Sequence, residues 1–110
     1  MGRFNYGNVK LVVEDRALAH LQAVIGNKLR RGEPFFFTWR EDPSTGEGRR
    51  SVWLHPAADI NFQYFGSRSP SLNRDWLEVL SVTANSTTGL HLVPEPAPST
   101  DPPADAADLP

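Results

Sequence analysis

Residues 35–65 read FFFTWREDPSTGEGRRSVWLHPAADINFQYF. Three runs in that stretch, FFFTWR at 35–40, RSVWLH at 50–55 and DINFQYF at 59–65, are crowded with aromatic and β-branched residues, the composition that strands prefer. The first two are separated by EDPSTGEGR, whose Pro43, Gly46 and Gly48 predict a mobile hairpin loop. The second and third are joined by a short turn at Pro56-Ala57-Ala58. Together they predict an antiparallel meander.

Side chains alternate across a strand, so the meander has two faces. Phe35, Phe37, Trp39, Val52, Leu54, Ile60, Phe62 and Tyr64 form an apolar face, the expected core. The opposite face mixes Phe36, Trp53 and Phe65 with Thr38, Arg40, Ser51, His55, Asn61 and Gln63. It is a candidate binding face made of Phe36, Arg40, Arg49, Arg50, Trp53, His55 and Phe65. Rings of this kind stack on nucleic-acid bases while arginines meet phosphates. The same composition suits a protein partner or self-association, where aromatics are also enriched. Coverage of the face by the rest of the chain is the plainer outcome.

Outward from the meander, residues 4–13 (FNYGNVKLVV) predict a strand or a bent hairpin, with a bulge or turn at Gly7. Leu18, Leu21, Val24, Ile25 and Leu29 recur at helical spacing and predict a helix over about 16–31, capped by Asp15. Lys28, Arg30 and Arg31 stand in its last turn, Gly32 supplies a left-handed C-terminal cap and Pro34 stops it. A second helix is expected over about 72–84, capped by Ser71 or Asn73, with Leu72, Trp76, Leu77, Leu80 and Ala84 on its apolar face. Leu90, Leu92 and Val93 suit a last short strand. The order β-α-β-β-β-α-β makes an α+β domain, two helices on a mainly antiparallel sheet.

Composition changes at Pro94. Residues 94–110 hold six of the ten prolines, four acids, no base and no aromatic, so a disordered Pro/Ala/acidic tail is expected after a single domain over 1–93. Such a tail is inert or docks in cis on basic residues of the body. All eleven bases lie in the body against nine acids, so the body carries +2 and the tail −4. The net charge of −2 therefore hides two opposite parts. The start, MGRFNY, opens no apolar h-region and no window is long and apolar enough for a membrane span, so a cytoplasmic protein is expected.

Chemistry-bearing motifs are few. Cysteine is absent, which excludes thiol nucleophiles and zinc ribbons. His20, His55 and His91 lack metal-ligand spacing and are expected at the surface or at caps, so neither a metal nor a cofactor is implied. The loop Ser44-Thr45-Gly46-Glu47-Gly48 lacks the spacing of a phosphate-binding loop. Arg68 and Arg74 flank the loop before the second helix. With Ser71, Asn73 and that helix's free N–H groups they form a candidate anion site, ordinary capping being the alternative.

Four stretches, NKLRRGEPFFFTW (27–39), GEGRRSVWLHP (46–56), FGSRSPSLNRDWLEVL (65–80) and ANSTTGLHLVPEP (84–96), together resemble a short actinobacterial family of uncharacterised proteins. The resemblance spans Met1 to about Pro96. Automated naming often labels members ATP-dependent DNA ligase, and no catalytic residues are implied. A ligase of that class takes AMP on the lysine of a Lys-x-Asp-Gly motif. Lys10 precedes Leu-Val-Val and Lys28 precedes Leu-Arg-Arg, so the residues point instead to a non-catalytic binding or protein-interaction module, with a nucleic-acid accessory as the alternative.

Overall fold

A computed structural model of the chain describes residues 1–41 and 48–97. The tip of the 41–49 connection and the chain beyond Ala97 lie outside the described residues, and with them the expected mobile loop and most of the expected tail. The elements are β1 (Gly2–Tyr6), β2 (Val9–Val13), α1 (Asp15–Arg30), β3 (Phe35–Arg40), β4 (Arg49–Leu54), β5 (Ile60–Gln63) and α2 (Arg74–Ala84). The fold is α+β, with two helices and two antiparallel sheets among the described residues. Among the described residues no helix is long and apolar enough to cross a membrane.

The pairing departs from a single meander. One sheet has the order β2-β1-β5 and the other is the β3–β4 hairpin alone. Residues 4–13 fold back as two strands, Tyr6 opposite Val9, around the turn at Gly7 and Asn8. After β4 the chain turns, with the Ala58 N–H on the His55 carbonyl (2.9 Å), and β5 crosses to pair with β1, Phe4 opposite Phe62. The Tyr6 hydroxyl donates to the Trp53 carbonyl (2.7 Å) and so ties the two sheets together.

The expected last strand shrinks to one bridge. Leu90 pairs parallel with Phe37, its N–H on the Phe36 carbonyl and its carbonyl accepting from Thr38, both at 2.8 Å. Beyond it the Trp76 indole N–H donates to the Val93 carbonyl (2.9 Å) and draws the chain toward α2. Pro94 then has no N–H with which to extend a ladder. Gly89 makes the bridge possible. Its φ is +89°, and a Cβ there would lie 2.5 Å from the Phe36 carbonyl oxygen.

Alternation places the core as expected. Phe35, Phe37 and Trp39 are buried beneath β3 while Phe36 and Arg40 face out. Phe4 is fully buried and meets Phe37 edge-on (ring centroids 5.2 Å apart) and Phe62 (5.5 Å). Leu18, Leu21, Val24 and Ile25 of α1 and Leu80 of α2 fill the remaining space. Each such fully buried side chain is worth about 1.5–3 kcal/mol of transfer free energy.

The helix ends are set by specific bonds. At the C-terminus of α1, Gly32 (φ +73°) gives its N–H to the Leu29 carbonyl and Glu33 gives its N–H to the Lys28 carbonyl, a Schellman closure. At its N-terminus the cap position is Glu14, without a side-chain bond, and Asp15 is the first helical residue. The Asp15 carboxylate instead accepts from the N–H groups of Gly66 (2.7 Å) and Phe65 (3.3 Å), pinning the chain after β5. Asn73 caps α2 through Oδ1, which accepts from the N–H groups of Asp75 (3.0 Å) and Trp76 (3.4 Å). Leu72 lies before that cap and is 51% exposed, so it does not join the apolar face of α2.

Candidate binding face

The outer face of the β3–β4 hairpin is a ladder of three matched pairs. Phe36 stands opposite Trp53, Thr38 opposite Ser51 and Arg40 opposite Arg49. Phe36 and Trp53 meet edge to face, ring centroids 4.8 Å apart, and each is 46% exposed. The Thr38 and Ser51 hydroxyls lie 2.7 Å apart and share a hydrogen bond. Among the described residues neither Arg40 nor Arg49 has a counter-ion. Like charges directly opposite across a ladder are destabilising. An open groove of about 950 Å³ runs alongside, lined by Val12, Phe36, Arg40, Arg49, His91 and Leu92 among others.

The other residues of the predicted face go elsewhere. Arg50 opposes Trp39, and its Nε donates to Glu41 Oε2 (2.8 Å), which also accepts from the Trp39 indole N–H (3.2 Å). His55 is half-buried just past β4, in the turn closed by Ala58. Phe65 follows β5 on the other sheet, with the Arg3 guanidinium 5.6 Å from its ring centre. The expected trio of stacking rings is therefore a pair, because β5 leaves the meander and takes Phe65 with it.

The candidate anion site at the N-terminus of α2 holds a carboxylate of the chain itself. Arg16 grips Glu95 through two bonds, Nε to Oε1 (2.9 Å) and Nη2 to Oε2 (2.6 Å), and donates from Nη1 to the Ser71 carbonyl (2.7 Å). Asn73 Nδ2 donates to Glu95 Oε2 (3.0 Å). The bond to Arg16 and then the one from Asn73 hold the Glu95 carboxyl down to about 2, and Glu95 in turn raises the Arg16 guanidinium. Thus the first acid of the 94–110 segment docks in cis on a base of the body. Arg74 begins α2 and is exposed. Arg68 sits apart, in a second groove of about 510 Å³ between α1 and the loop after β5, with Arg30 and Asn27. The Tyr64 hydroxyl donates there to Gln22 (2.6 Å), and burial, then the Asp15 charge, raises its pKa.

Among the described residues two polar side chains, His20 and Lys28, are interior. His20, expected at the surface or at a cap, is fully buried in α1. Its Nε2 accepts from the Asn73 N–H (2.7 Å), its Nδ1 lies 2.7 Å from the Arg16 carbonyl, and its ring centre is 4.4 Å from that of Trp76. Lys28, expected with Arg30 and Arg31 in the last turn of α1, is 8% exposed. Its Nζ meets Asn85 Oδ1 (2.6 Å) and Glu33 (3.1 Å), and that bond lowers the Glu33 carboxyl. Lys10 is exposed on β2.

Residues 1–95 match the family model described as a domain of unknown function, DUF7882. No curated protein and no solved structure matches the chain.

Proposed function

The chain belongs to the DUF7882 family, a domain of unknown function, and from that premise we propose that it is a non-catalytic binding module whose contact surface is the outer face of β3–β4. The observation that carries this is the juxtaposition of two unfavourable features on one ladder. Arg40 and Arg49 face each other without a counter-ion among the described residues, and two large rings two pairs along the ladder remain half in water. Both are costs to the free protein, and a partner that supplies negative charge and apolar contact relieves both.

The polar side chains best placed for chemistry are otherwise engaged. Both nitrogens of His20 are bonded inside the core, and Lys28 is held by Asn85 and Glu33. Neither lysine stands in the adenylation motif of an ATP-dependent ligase, so that activity is not assigned to this chain. A nucleic-acid accessory role is favoured over a purely apolar protein contact by the arginine pair, because two forked guanidiniums facing each other suit a phosphate.

The test is capture from a native extract with three baits: the unaltered chain, a Trp53→Ser/Arg40→Gln variant, and a Val82→Ser control on the exposed side of α2. Material held by the first and third baits and released by the second supports the assignment. Material held equally by all three refutes it.

A further inference from the structure

Resting on that assignment of the face, we propose that its occupant is a single-stranded nucleic acid lying along the β3–β4 ladder, with a base against Phe36 and Trp53 and a phosphate between Arg40 and Arg49. The three pairs stand in a fixed sequence of chemistry: rings, hydroxyls, guanidiniums. Neighbouring residues on one face of a strand are two positions apart, so the ring pair and the arginine pair are separated by about 13 Å. A nucleic-acid strand repeats the same set of groups at short intervals: a flat base, a sugar with hydrogen-bonding oxygens and one negative charge.

Each pair matches one of those groups. The rings are half exposed and offer π surface, and stacking on such rings tolerates any base. The Thr38 and Ser51 hydroxyls hold two protons between them: one lies in their mutual bond, and the other reaches the Thr88 carbonyl only at 3.4 Å and can turn to a phosphate oxygen. The two guanidiniums carry forked donors toward one phosphodiester, whose two non-bridging oxygens can face one arginine each. Binding an anion there removes the like-charge repulsion of the ladder, so the arginine pair favours the complex twice over.

The strand must be single. In a duplex the bases are stacked on one another, so their faces are closed to the Phe36–Trp53 pair. A platform of two rings on a sheet acts on splayed, unstacked bases. An acidic peptide satisfies the arginines but leaves the rings without a planar partner.

The experiment measures fluorescence anisotropy of a labelled oligothymidylate with the full chain at about 50 mM salt and upward. Binding is expected, with log K falling against log salt at a slope of about −0.7, the value for one phosphate of a single strand. Trp53→Ala weakens binding roughly 5- to 150-fold, the range for one lost base stack, and leaves the slope unchanged. Trp53→Phe restores most of the loss, which separates stacking from a folding defect. Arg40→Gln/Arg49→Gln flattens the slope.

Absence of binding at low salt overturns the proposal. So does binding that ignores both sets of variants, or a matching duplex that binds as tightly as the single strand. A labelled poly-glutamate peptide distinguishes the two levels of inference. If it alone binds, with dependence on Arg40 and Arg49, the nucleic-acid proposal fails while the binding face stands.

Discussion

Asn73 gives its backbone N–H to Nε2 of His20 across 2.7 Å, joining the cap of α2 to the middle of α1. The Asn73 N–H can only donate, so Nε2 accepts and the ring proton sits on Nδ1, donated to the Arg16 carbonyl at 2.7 Å. One buried ring thereby settles the separation and rotation of the two helices. His20→Leu keeps the volume but strands the Asn73 N–H, and is expected to destabilise the fold by about 1–3 kcal/mol. Urea unfolding measures this directly. Nitrogen-15 spectra of the imidazole should show the Nδ1–H tautomer at neutral pH, and an Nε2–H ring would contradict the bond.

The Arg16–Glu95 clamp has a pH signature. The folded carboxyl titrates at about 2, below the ordinary 4.5, chiefly because Arg16 bonds its charged form and Asn73 adds to this. A depressed acid stabilises the fold fully above its unfolded pKa and loses that contribution as pH falls toward the folded value. Glu95→Gln should therefore melt below the unaltered chain at neutral pH. The gap should close between pH 4.5 and about 2, leaving no difference at the acid end. A gap that persists to the acid end rules the clamp out as its cause. High salt should narrow the gap at neutral pH, because the pair is partly solvated.

Two glycines with positive φ should respond differently to alanine. At Gly32 (φ +73°) no atom lies within 4 Å of the added Cβ, so only backbone strain is incurred, about 1–2 kcal/mol. At Gly89 (φ +89°) the Cβ also meets the Phe36 carbonyl oxygen at 2.5 Å. That oxygen accepts from Leu90, so Gly89→Ala should cost more than Gly32→Ala and should open the bridge. Hydrogen exchange at the Thr38 and Leu90 amides reads this: both should lose protection in Gly89→Ala and keep it in Gly32→Ala. Equal losses in the two variants would show that the bridge does not depend on the close approach.

Some of this architecture is written in local sequence and some is not. Alternation in 35–40 separates Phe35, Phe37 and Trp39 from Phe36 and Arg40, because the strand itself imposes the period. The destination of β5 depends on how the turn at His55–Ala58 swings the chain, and strand pattern carries no trace of that. His20 and Lys28 fall within the buried series Ala17, Leu18, His20, Leu21, Val24, Ile25, Lys28, at helical spacing. Their positions pointed inward while their polarity pointed outward, and position prevailed because each found partners. Glu95 binds Arg16 across 79 residues, a separation at which no motif announces the contact. The ladder of matched pairs required the register of β3 on β4, which places Arg40 opposite Arg49 only once the hairpin is closed.

The arginine pair supplies a prediction whose sign is unusual for a point substitution. Most surface changes are neutral or mildly destabilising. Arg40→Gln keeps most of the side-chain stem and removes one of two like charges standing opposite each other, so it should stabilise the free protein by about 0.2–1 kcal/mol. The gain should shrink with salt and be nearly gone at about 1 M, where screening acts over roughly 3 Å. Arg50, next to Arg49 in the chain, provides the contrast: its Nε bonds Glu41 at 2.8 Å, and Arg50→Gln should destabilise. Urea unfolding of the two variants at low and high salt measures both signs. Should Arg40→Gln destabilise the chain, the guanidinium has a favourable role within the fold, and the case for an anionic partner loses its physical ground. Should it stabilise the fold while weakening oligothymidylate binding, the arginine pair is a stability cost retained for binding.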